Sequence, residues 1–307
     1  MIAAVVLTYD APEGMLAECV SSLLSHTTGA TGVTGAPDSD LLVIVVDNGR
    51  RARDLGPLLD RVTLVEALTN LGYAGGVNLG VRRAIDQGAD AVMVLNDDVV
   101  VEPGWLAPLV AELDDPAVGA VQPLLLLAGE PPLRVNSRGV HLGRDGAGTD
   151  IGLGELDRPD AHDPPTDLEL FTGGAVLLRA EFVRATGGFD ERFFLYYEDV
   201  DLALRGAELG WRYRYVPASR VIHRGSVTAD AHSTVAAFHR ERNRLWVLWR
   251  HGAPGDLARG LWLSVRRLRW APKGIHARAL AAGIGSAPRL CFARFRQRHG
   301  GLRQESV

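Results

Sequence analysis

The stretch AVMVLNDDVV, residues 91–100, decides the fold, because a short apolar run ends there abruptly in Asn and Asp. The run at residues 91–95 is too short for a typical helix and resembles a strand buried on both faces. The same pattern occurs twice earlier in the chain, at residues 3–7 and 41–46, each time followed by polar residues. We therefore predict three buried parallel strands.

Helical patterns separate these strands. Residues 14–25 and 78–87 have helical spacing of apolar positions, and Gly88 follows the second segment as a C-cap. A loop rich in Gly, Thr and Pro covers residues 28–40. Strands that alternate with helices predict an α/β fold with a Rossmann-like, doubly wound, mostly parallel sheet.

Polar side chains collect where the three predicted strands end. Ligands of doubly wound sheets bind beyond the carboxyl ends of the strands. A carboxylate there can hold Mg²⁺ or Mn²⁺ and bridge it to a diphosphate, since both cations accept oxygen ligands. The alternative for Asp97 and Asp98 is a turn or a helix cap before Pro103. The strand-end residues are Thr8, Tyr9, Asp10, Asp47, Asn48, Asn96, Asp97 and Asp98.

Residues 70–78 (NLGYAGGVN) form a Gly-rich stretch that we interpret as a loop opening a helix. Small residues allow backbone N–H groups to approach a phosphate, and a helix N-terminus favours anions. The spacing differs from that of the dinucleotide-binding fingerprint, so the stretch alone is weak evidence.

Residues 187–202 (GGFDERFFLYYEDVDL) are the most informative segment for chemistry. Glu198, Asp199 and Asp201 follow a run of aromatic and apolar residues, and a helix is predicted over residues 199–209 with Gly210 as its cap. Burial among aromatic rings raises a carboxyl pKa and a helix N-terminus lowers it. Such a carboxylate can accept the proton of an attacking hydroxyl. The alternative is an acidic first turn that only stabilises the helix.

His223 lies at the end of a predicted strand at residues 220–223, which follows another at 211–216. A lone histidine is more often structural, but an imidazole can complete Mn²⁺ coordination beside a carboxylate and a diphosphate. The other predictions are a strand at residues 170–179, a long loop at 129–165 with a hairpin near 135–142, and helices from residue 235 broken at 252–255 and at Pro272.

The composition fits one large α/β domain with or without an appendage, since 47% of the 307 residues are hydrophobic and 23% are charged. Two distant cysteines, Cys19 and Cys291, argue against a disulfide framework and favour a cytoplasmic protein. The N-terminus is typical of a strand rather than of a signal peptide. No apolar window reaches about 18 residues, so no transmembrane helix is predicted.

The charge is unevenly distributed along the chain. From Arg240 onward there are 15 Lys and Arg residues against three acids, although the whole chain has a net charge of −4. A basic tail on an acidic body predicts an anionic partner such as membrane lipid or a phosphorylated acceptor, and we do not expect nucleic acid. The alternative is a solvated helical appendage that packs on the acidic body. Four tryptophans of the tail could sit at a lipid interface, or could be core or dimer contacts. They are Trp246, Trp249, Trp262 and Trp270.

Seven segments, taken in order, resemble family 2 glycosyltransferases, most nearly their rhamnosyltransferase-like, WbbL-type members. The segments are VVLTYD (5–10), VVDNG (45–49), NLGYAGGVNLG (70–80), LNDDV (95–99), FTGGAVLLR (171–179), GGFDERFFLYYEDVDLALR (187–205) and VIHRGS (221–226). The resemblance runs from about residue 2 to about residue 250. It implies a GT-A fold, a nucleotide-diphosphate sugar donor, a divalent cation (Mn²⁺ or Mg²⁺) and inversion at the anomeric carbon.

The resemblance also implies roles on the donor side. Thr8 and Tyr9 would line the nucleotide pocket, Asp47 would contact the pyrimidine base, and Asn70 and Gly72 would support the diphosphate. Asn96, Asp97 and Asp98 stand in the D-x-D-like motif of the family, with Asn in place of the first acid. Asn96 and Asp97 are therefore expected at the donor nucleotide, although the particular role of Asp97 is left open.

For the metal and the base, the resemblance implies that Asp98 is the metal carboxylate and that His223 is the metal-binding histidine. Asp199 matches the catalytic base of the family. Glu198 would help to orient the donor or the acceptor.

We therefore predict an inverting glycosyltransferase with a GT-A domain at residues 1–240 and a basic helical extension at 241–307. The domain would comprise a nucleotide-binding half (1–128) and an acceptor half (129–240). The first expectation for the donor is L-rhamnose on dTDP, with a UDP-sugar as the alternative. The acceptor would be a lipid-linked cell-envelope glycan or a small molecule. Peripheral contact with the inner face of the plasma membrane and a homodimer are further expectations.

Two other functions are weighed against this one. A nucleotidyltransferase of sugar phosphates would carry a Gly-rich signature with Arg or Lys after the first strand, where residues 8–12 read TYDAP instead. A non-catalytic nucleotide-sugar-binding protein would lack the base or the metal ligands, yet Asp98, Asp199 and His223 are all present.

Overall fold

The computed structural model describes residues 1–26, 41–49, 52–160, 163–224, 233–270 and 273–289. The strands are β1 (Ile2–Thr8), β2 (Leu42–Asp47), β3 (Thr63–Glu66), β4 (Ala91–Asn96), β5 (Val99–Val101), β6 (Val118–Leu127), β7 (Arg134–Ser137), β8 (Val140–Leu142), β9 (Gly148–Asp150), β10 (Thr166–Leu168), β11 (Ala175–Arg179) and β12 (Arg212–His223). The helices are α1 (Met15–His26), α2 (Gly72–Asp86), α3 (Leu106–Ala111), α4 (Ala180–Thr186), α5 (Glu198–Glu208), α6 (Thr234–His251), α7 (Pro254–Arg267) and α8 (Lys273–Gly285). The loop predicted at residues 28–40 lies outside the described residues.

One mixed sheet of ten strands organises the fold, in the order β10-β12-β6-β11-β4-β1-β2-β3, with β5 on β12 and β7 on β6. The three strands predicted from apolar runs are β1, β2 and β4, and β1 pairs in parallel with both others. The predicted α/β fold is therefore confirmed. β11 runs antiparallel between β4 and β6, which the sequence did not reveal.

The Gly-rich stretch at residues 70–78 is mostly helix and not the predicted loop, because α2 begins at Gly72. Its glycines permit close packing against the sheet. A Cβ at Gly76 would overlap Leu7, and a Cβ at Gly80 would overlap Val5. The helix therefore lies directly on β1, whose opposite face contributes Ala4 and Val6 to the main hydrophobic core.

Several other predictions are corrected by the strand pairing. The hairpin expected near residues 135–142 is wrong, since β7 pairs with β6 and β8 pairs with β9. The strand expected at 170–179 begins only at Ala175. The two strands expected at 211–216 and 220–223 are one strand, β12, with an irregularity between Val216 and Arg220. The helix that follows residue 197 is confirmed as α5, and Gly210 after it has a φ of +89°.

The backbone groups into two compact units. The first comprises Met1–His141, Asp150–Phe194 and Glu198–Asp230, and it contains most of the large sheet. The second comprises Leu142–Thr149, Leu195–Tyr197 and Ala231–Val307, and its described helices are α6, α7 and α8. α6 begins at Thr234 and continues through the boundary predicted at residue 240. No helix in the described part of the chain has the length and apolar character needed to cross a membrane.

Candidate active site

Strand register places three of the predicted donor-side residues side by side. Thr8 pairs with Asp47 across β1 and β2, and Asn96 pairs with Leu7 across β4 and β1. All three residues therefore stand at the carboxyl ends of neighbouring parallel strands, where ligands of such sheets bind.

Asp97 is hydrogen-bonded to residues at the end of β1. Its carboxylate accepts hydrogen bonds from the Thr8 hydroxyl and from the backbone N–H of Tyr9. Burial raises the pKa of Asp97 to about 6, the hydrogen bond from Thr8 opposes this rise, and the charge of Asp98 adds to it. Thr8 is almost fully buried, whereas 43% of the Tyr9 surface is exposed, so the Tyr9 ring is accessible to a ligand.

Asn48 is a residue that the sequence interpretation noted at a strand end but did not assign to the site. Its Oδ1 accepts a hydrogen bond from Leu71 N at 2.8 Å, and its Nδ2 donates to Asn70 Oδ1 and to Gly72 O, both at 3.1 Å. The neighbouring Asp47 is buried and accepts from Gly49 N at 3.0 Å. Asn48 thus fixes the start of α2 against the end of β2.

The first backbone amides of α2 donate to protein acceptors, which corrects the expectation that they face a phosphate. Gly72 N donates to Asn70 Oδ1 at 2.8 Å, while the amides of Tyr73 and Ala74 donate to Phe194 O at 2.6 and 3.3 Å. Gly72 has a φ of +70°, and a Cβ there would overlap Phe194. Only glycine fits this close approach without strain.

Asp98 and His223 meet because β5 pairs antiparallel with β12, with Val99 opposite His223. His223 Nε2 lies 3.2 Å from Asp98 Oδ2, and both side chains are largely buried. Asp98 Oδ1 and His223 Nε2 have no hydrogen-bond partner among the described residues. A carboxylate oxygen and an imidazole nitrogen that are buried side by side without such partners fit a divalent cation such as Mn²⁺.

The other ring nitrogen of His223 is held by Asn136, which the sequence interpretation missed. His223 Nδ1 lies 2.7 Å from Asn136 Oδ1. An amide oxygen only accepts hydrogen bonds, so in the neutral imidazole Nδ1 carries the proton and the lone pair lies on Nε2, beside Asp98. Asn136 belongs to β7, and its approach to His223 depends on β6 pairing with both β7 and β12.

The protein itself offers few ligands to a cation. Within the described ranges, no three His, Cys, Asp or Glu side chains are grouped to hold a metal ion.

Asp199 lies in the first turn of α5, and both of its carboxylate oxygens accept hydrogen bonds. Oδ2 accepts from Gly173 N at 2.8 Å, and Oδ1 accepts from Val200 N at 2.8 Å. Burial raises the pKa of Asp199, and the two N–H groups oppose that rise. The carboxylate is therefore held in one orientation while its basicity is increased.

Glu198 is buried beside Asp199. Burial, followed by the charge of Asp199, raises the pKa of Glu198 well above its usual value. Its Oε2 has no hydrogen-bond partner in the described part of the chain. A protonated Glu198 can donate a hydrogen bond to a sugar hydroxyl, which an ionised carboxylate cannot.

The chain before α5 has an unusual backbone. Phe194, Tyr196 and Tyr197 have φ angles of 66°, 67° and 69°, a region that non-glycine residues rarely adopt. Such strain recurs at functional sites, where the surrounding structure holds it.

Tyr73 and Asp150 connect the metal side with the base side. Burial raises the pKa of Tyr73, and the charges of Glu198, Asp199 and Asp98 raise it further. Burial raises the pKa of Asp150, and a hydrogen bond from Ser137 opposes that rise. Burial likewise raises the pKa of Asp199, and the charge of Asp150 adds to this rise. Tyr73 therefore lies within electrostatic range of the carboxylates predicted on the two sides of the reaction. No sequence motif marked Asp150, because it lies in a segment interpreted as loop.

Sequence profiles of two related families match the chain. The profile of Glycosyl transferase family 2 matches residues 3–139, and that of Glycosyl transferase family group 2 matches residues 91–277, more than half of the chain. The chain belongs to glycosyltransferase family 2. The protein is therefore an enzyme that transfers glycosyl groups.

A relative of this family 2 chain is the N-acetylglucosaminyl-diphospho-decaprenol L-rhamnosyltransferase of Mycobacterium tuberculosis. It is 28% identical over 263 residues, which cover 78% of this chain and 82% of the relative. This relative supports the rhamnosyltransferase-like group within family 2.

Two solved structures share the GT-A fold of this family 2 chain. GalNAc-T7 with UDP, GalNAc and Mn²⁺ matches 97% of this chain and 57% of its own, with a TM-score of 0.65 and 15% identity. The mannosyltransferase PcManGT from Pyrobaculum calidifontis, with GDP-Man and Mn²⁺, matches 99% of this chain and 88% of its own, with a TM-score of 0.52 and 16% identity. At these identities the likeness shows the fold alone.

Proposed function

We propose that this family 2 glycosyltransferase transfers a sugar with inversion from a nucleotide-diphosphate donor to an acceptor hydroxyl, with Asp199 as the base. The observation that carries the proposal is that the predicted metal ligands and the predicted base are all largely buried side chains of the first unit. Asp98 Oδ2 and His223 Nε2 lie 3.2 Å apart, and Asp98 Oδ1 and His223 Nε2 have no hydrogen-bond partner among the described residues, while the charges of Asp98 and Asp199 both raise the pKa of Tyr73.

Asp98 and His223 are proposed to hold Mn²⁺ or Mg²⁺. When bound, such a cation would neutralise charge on the leaving diphosphate. Asn136 would keep the imidazole in the tautomer that presents Nε2.

Asp199 must be ionised to accept the proton of the acceptor hydroxyl. Because burial raises its pKa, activity should fall as the pH drops through that raised pKa, above the range of an ordinary carboxyl group. The two N–H groups that bind its oxygens would fix its direction. Glu198 is proposed to stay protonated and to orient donor or acceptor by donating a hydrogen bond.

On the donor side we retain the predicted contacts as proposals. The nucleotide would contact Thr8, Tyr9, Asp47, Asn96 and Asp97 at the strand ends. Asn70 and Gly72 would act by shaping the start of α2, because the backbone amides there already donate to protein acceptors.

The proposed donor is dTDP-L-rhamnose, and the proposed acceptor is a lipid-linked glycan. The name of the mycobacterial relative, at 28% identity, supports the L-rhamnosyl group and the lipid-linked acceptor. A UDP-sugar remains the alternative donor, and a small molecule remains the alternative acceptor. The cytoplasmic location also remains a prediction.

The test compares product release and donor binding in three variants. Asp199→Asn should lose transfer by roughly 100- to 10,000-fold, the range of a general base, while donor nucleotide still binds in the presence of Mn²⁺. Asp98→Ala and His223→Ala should instead weaken Mn²⁺-dependent nucleotide binding, measured by titration calorimetry with nucleoside diphosphates.

Asp86→Asn, an exposed substitution at the end of α2, is the matched control and should behave as the wild type. Wild-type turnover in Asp199→Asn would refute the assignment of the base. Release of pyrophosphate instead of a nucleoside diphosphate would indicate nucleotidyl transfer and overturn the proposed reaction.

A further inference from the structure

α7 has one buried face and one exposed face. Gly260 and Ser264 are buried in the second unit. On the other side, Trp262 is 59% exposed and Val265 is 57% exposed, and Arg259 and Arg266 are also exposed. A helix face that combines exposed apolar side chains with arginines differs from an ordinary, purely polar solvated face.

The exposed face continues beyond the end of α7. Turn hydrogen bonds extend the chain through Leu268, Arg269 and Trp270. Arg269 is exposed, and Trp270 is the most exposed tryptophan described, at 83%. At 100° per residue, the four exposed residues within α7 lie within an arc of about 120°, and Arg269 and Trp270 follow directly after the helix. We call this surface the α7 face, comprising Arg259, Trp262, Val265, Arg266, Arg269 and Trp270.

The other two tryptophans of the basic tail are placed differently. Trp246 and Trp249 lie on α6 and are only partly exposed, and their indole Nε1 atoms are buried. The structure thus separates the four tryptophans that the sequence grouped together. Trp262 and Trp270 are instead mostly exposed, at 59% and 83%.

The α7 face is chemically complementary to an anionic lipid surface. Tryptophan prefers the boundary between lipid headgroups and acyl chains, and arginine is attracted to anionic headgroups. Arg266 lies with its guanidinium carbon 5.0 Å from the centroid of the Trp262 ring. The only acid between Pro254 and Trp270 is Asp256, which lies outside the face and pairs with Arg144 at 2.8 Å.

We infer that the α7 face docks on the surface of a membrane that contains anionic phospholipid. A second copy of the chain is the less suitable occupant. In a two-fold contact the same patch faces itself, so three arginines would oppose three arginines. Lipid phosphates instead neutralise all three.

This inference goes beyond glycosyl transfer itself. It deepens the proposed function in one respect, since it would hold the enzyme where a lipid-linked acceptor resides. The docking does not depend on the donor site, so the two proposals can fail separately.

The experiment is vesicle flotation of the full chain, using phosphatidylcholine vesicles with and without phosphatidylglycerol. The wild type should float only with phosphatidylglycerol and should dissociate as salt is added. Arg259→Gln/Arg266→Gln/Arg269→Gln should weaken binding roughly 100-fold, since each basic residue near the surface contributes about five-fold. Trp262→Ser/Trp270→Ser should weaken it at least ten-fold.

Two control variants test whether the effect is specific to the α7 face. Arg184→Gln/Arg278→Gln/Arg289→Gln removes three exposed arginines elsewhere, and Leu68→Ser/Leu209→Ser removes exposed apolar groups from the first unit. Both controls should float as the wild type does. Equal losses in the arginine control, equal binding to pure phosphatidylcholine, or a dimer that the tryptophan variant abolishes would each overturn the inference.

Nucleotide binding with Mn²⁺, measured without vesicles, separates this result from the proposed reaction. It should be unchanged in both α7-face variants. If the chain binds vesicles but transfers no sugar, the docking of the α7 face is still supported and only the proposed function is contradicted.

Discussion

At the scale of single residues, the two ring nitrogens of His223 have different partners. Nδ1 faces Asn136 Oδ1 at 2.7 Å, and Nε2 faces Asp98 Oδ2 at 3.2 Å. Residues that hydrogen-bond a metal-binding histidine fix its tautomer and its ring orientation. Asn136 is therefore a positioning residue for the proposed cation site.

We expect Asn136→Leu to lower Mn²⁺ affinity 10- to 100-fold, because the ring loses its acceptor and the tautomer is no longer fixed. Nitrogen NMR of labelled histidine in the metal-free protein should show His223 changing from the Nδ1–H form to a mixture. Asn136→Asp keeps an acceptor and should restore the wild-type tautomer. An unchanged NMR signature in Asn136→Leu would contradict the positioning role.

At the scale of elements, α5 is anchored by a buried ion pair. Arg205 Nε donates to Asp201 Oδ2 at 2.8 Å, and Arg205 Nη2 donates to Gly188 O at 2.7 Å. Asp201 is fully buried, and Arg205 is 6% exposed. The ion pair lies within α5 and orients the guanidinium, whose hydrogen bond to Gly188 O attaches the helix to the turn before it.

We expect Arg205→Ala to lower the free energy of unfolding by about 3–5 kcal/mol, because it removes the guanidinium that balances the charge of the buried Asp201 carboxylate. Urea denaturation monitored by tryptophan fluorescence measures this loss. Asp201→Leu/Arg205→Met removes both charges and should cost less than Arg205→Ala.

Arg184→Ala, an exposed substitution on α4, is the control and should fall within about 0.5 kcal/mol of the wild type. A similarly small effect in Arg205→Ala would show that the buried pair does not anchor α5.

The order of strands in the sheet shows what could be inferred from sequence. β1, β2 and β4 are continuous apolar runs, so their hydrophobicity alone predicted them. β6 was missed because Gly119, Gln122 and Pro123 interrupt its pattern, although its neighbours bury it. β5 has three residues, too few for a periodic signal.

In the candidate site, too, the local sequence pattern revealed only some of the residues. Asp98 and His223 could be selected individually by motif, but their contact depends on the pairing of β5 with β12. Asn136 has no motif of its own, since its role arises only from the pairing of β6 with β7. Asn48 could have been found, because it directly follows Asp47 at a predicted strand end. Long-range pairing, and not local propensity, supplied the missing residues.

At the scale of the whole molecule, each of the two units has its own means of stabilisation. The second unit contains a buried polar cluster around Glu241, in which Arg244, Ser264 and Arg267 bind the carboxylate. Burial alone would raise the pKa of Glu241, but these partners outweigh it and lower the pKa to about 2.

A lowered pKa means that Glu241 stabilises the folded state while it is ionised. This contribution, about 3 kcal/mol, is complete above the ordinary Glu pKa of about 4.3 and is lost as the pH falls through about 2. Glu241→Gln should therefore unfold at a lower temperature than the wild type at neutral pH, with a difference that narrows in acid.

Calorimetric melting of the wild type and Glu241→Gln over a pH series measures this difference, with Glu130→Gln as an exposed control. A constant difference at every pH would contradict the contribution of the ionised carboxylate.

β12 is a single strand of twelve residues that connects distant parts of the first unit. Near the start of β12, the Tyr213 hydroxyl donates to Ala203 O of α5 at 2.5 Å. At the other end of the strand, His223 lies beside Asp98. Along a strand, adding or deleting one residue reverses which face each later side chain occupies. Evolutionary length changes in the family should therefore be rare within residues 212–223, apart from the irregularity after Val216, and common in the surface loops around residue 130.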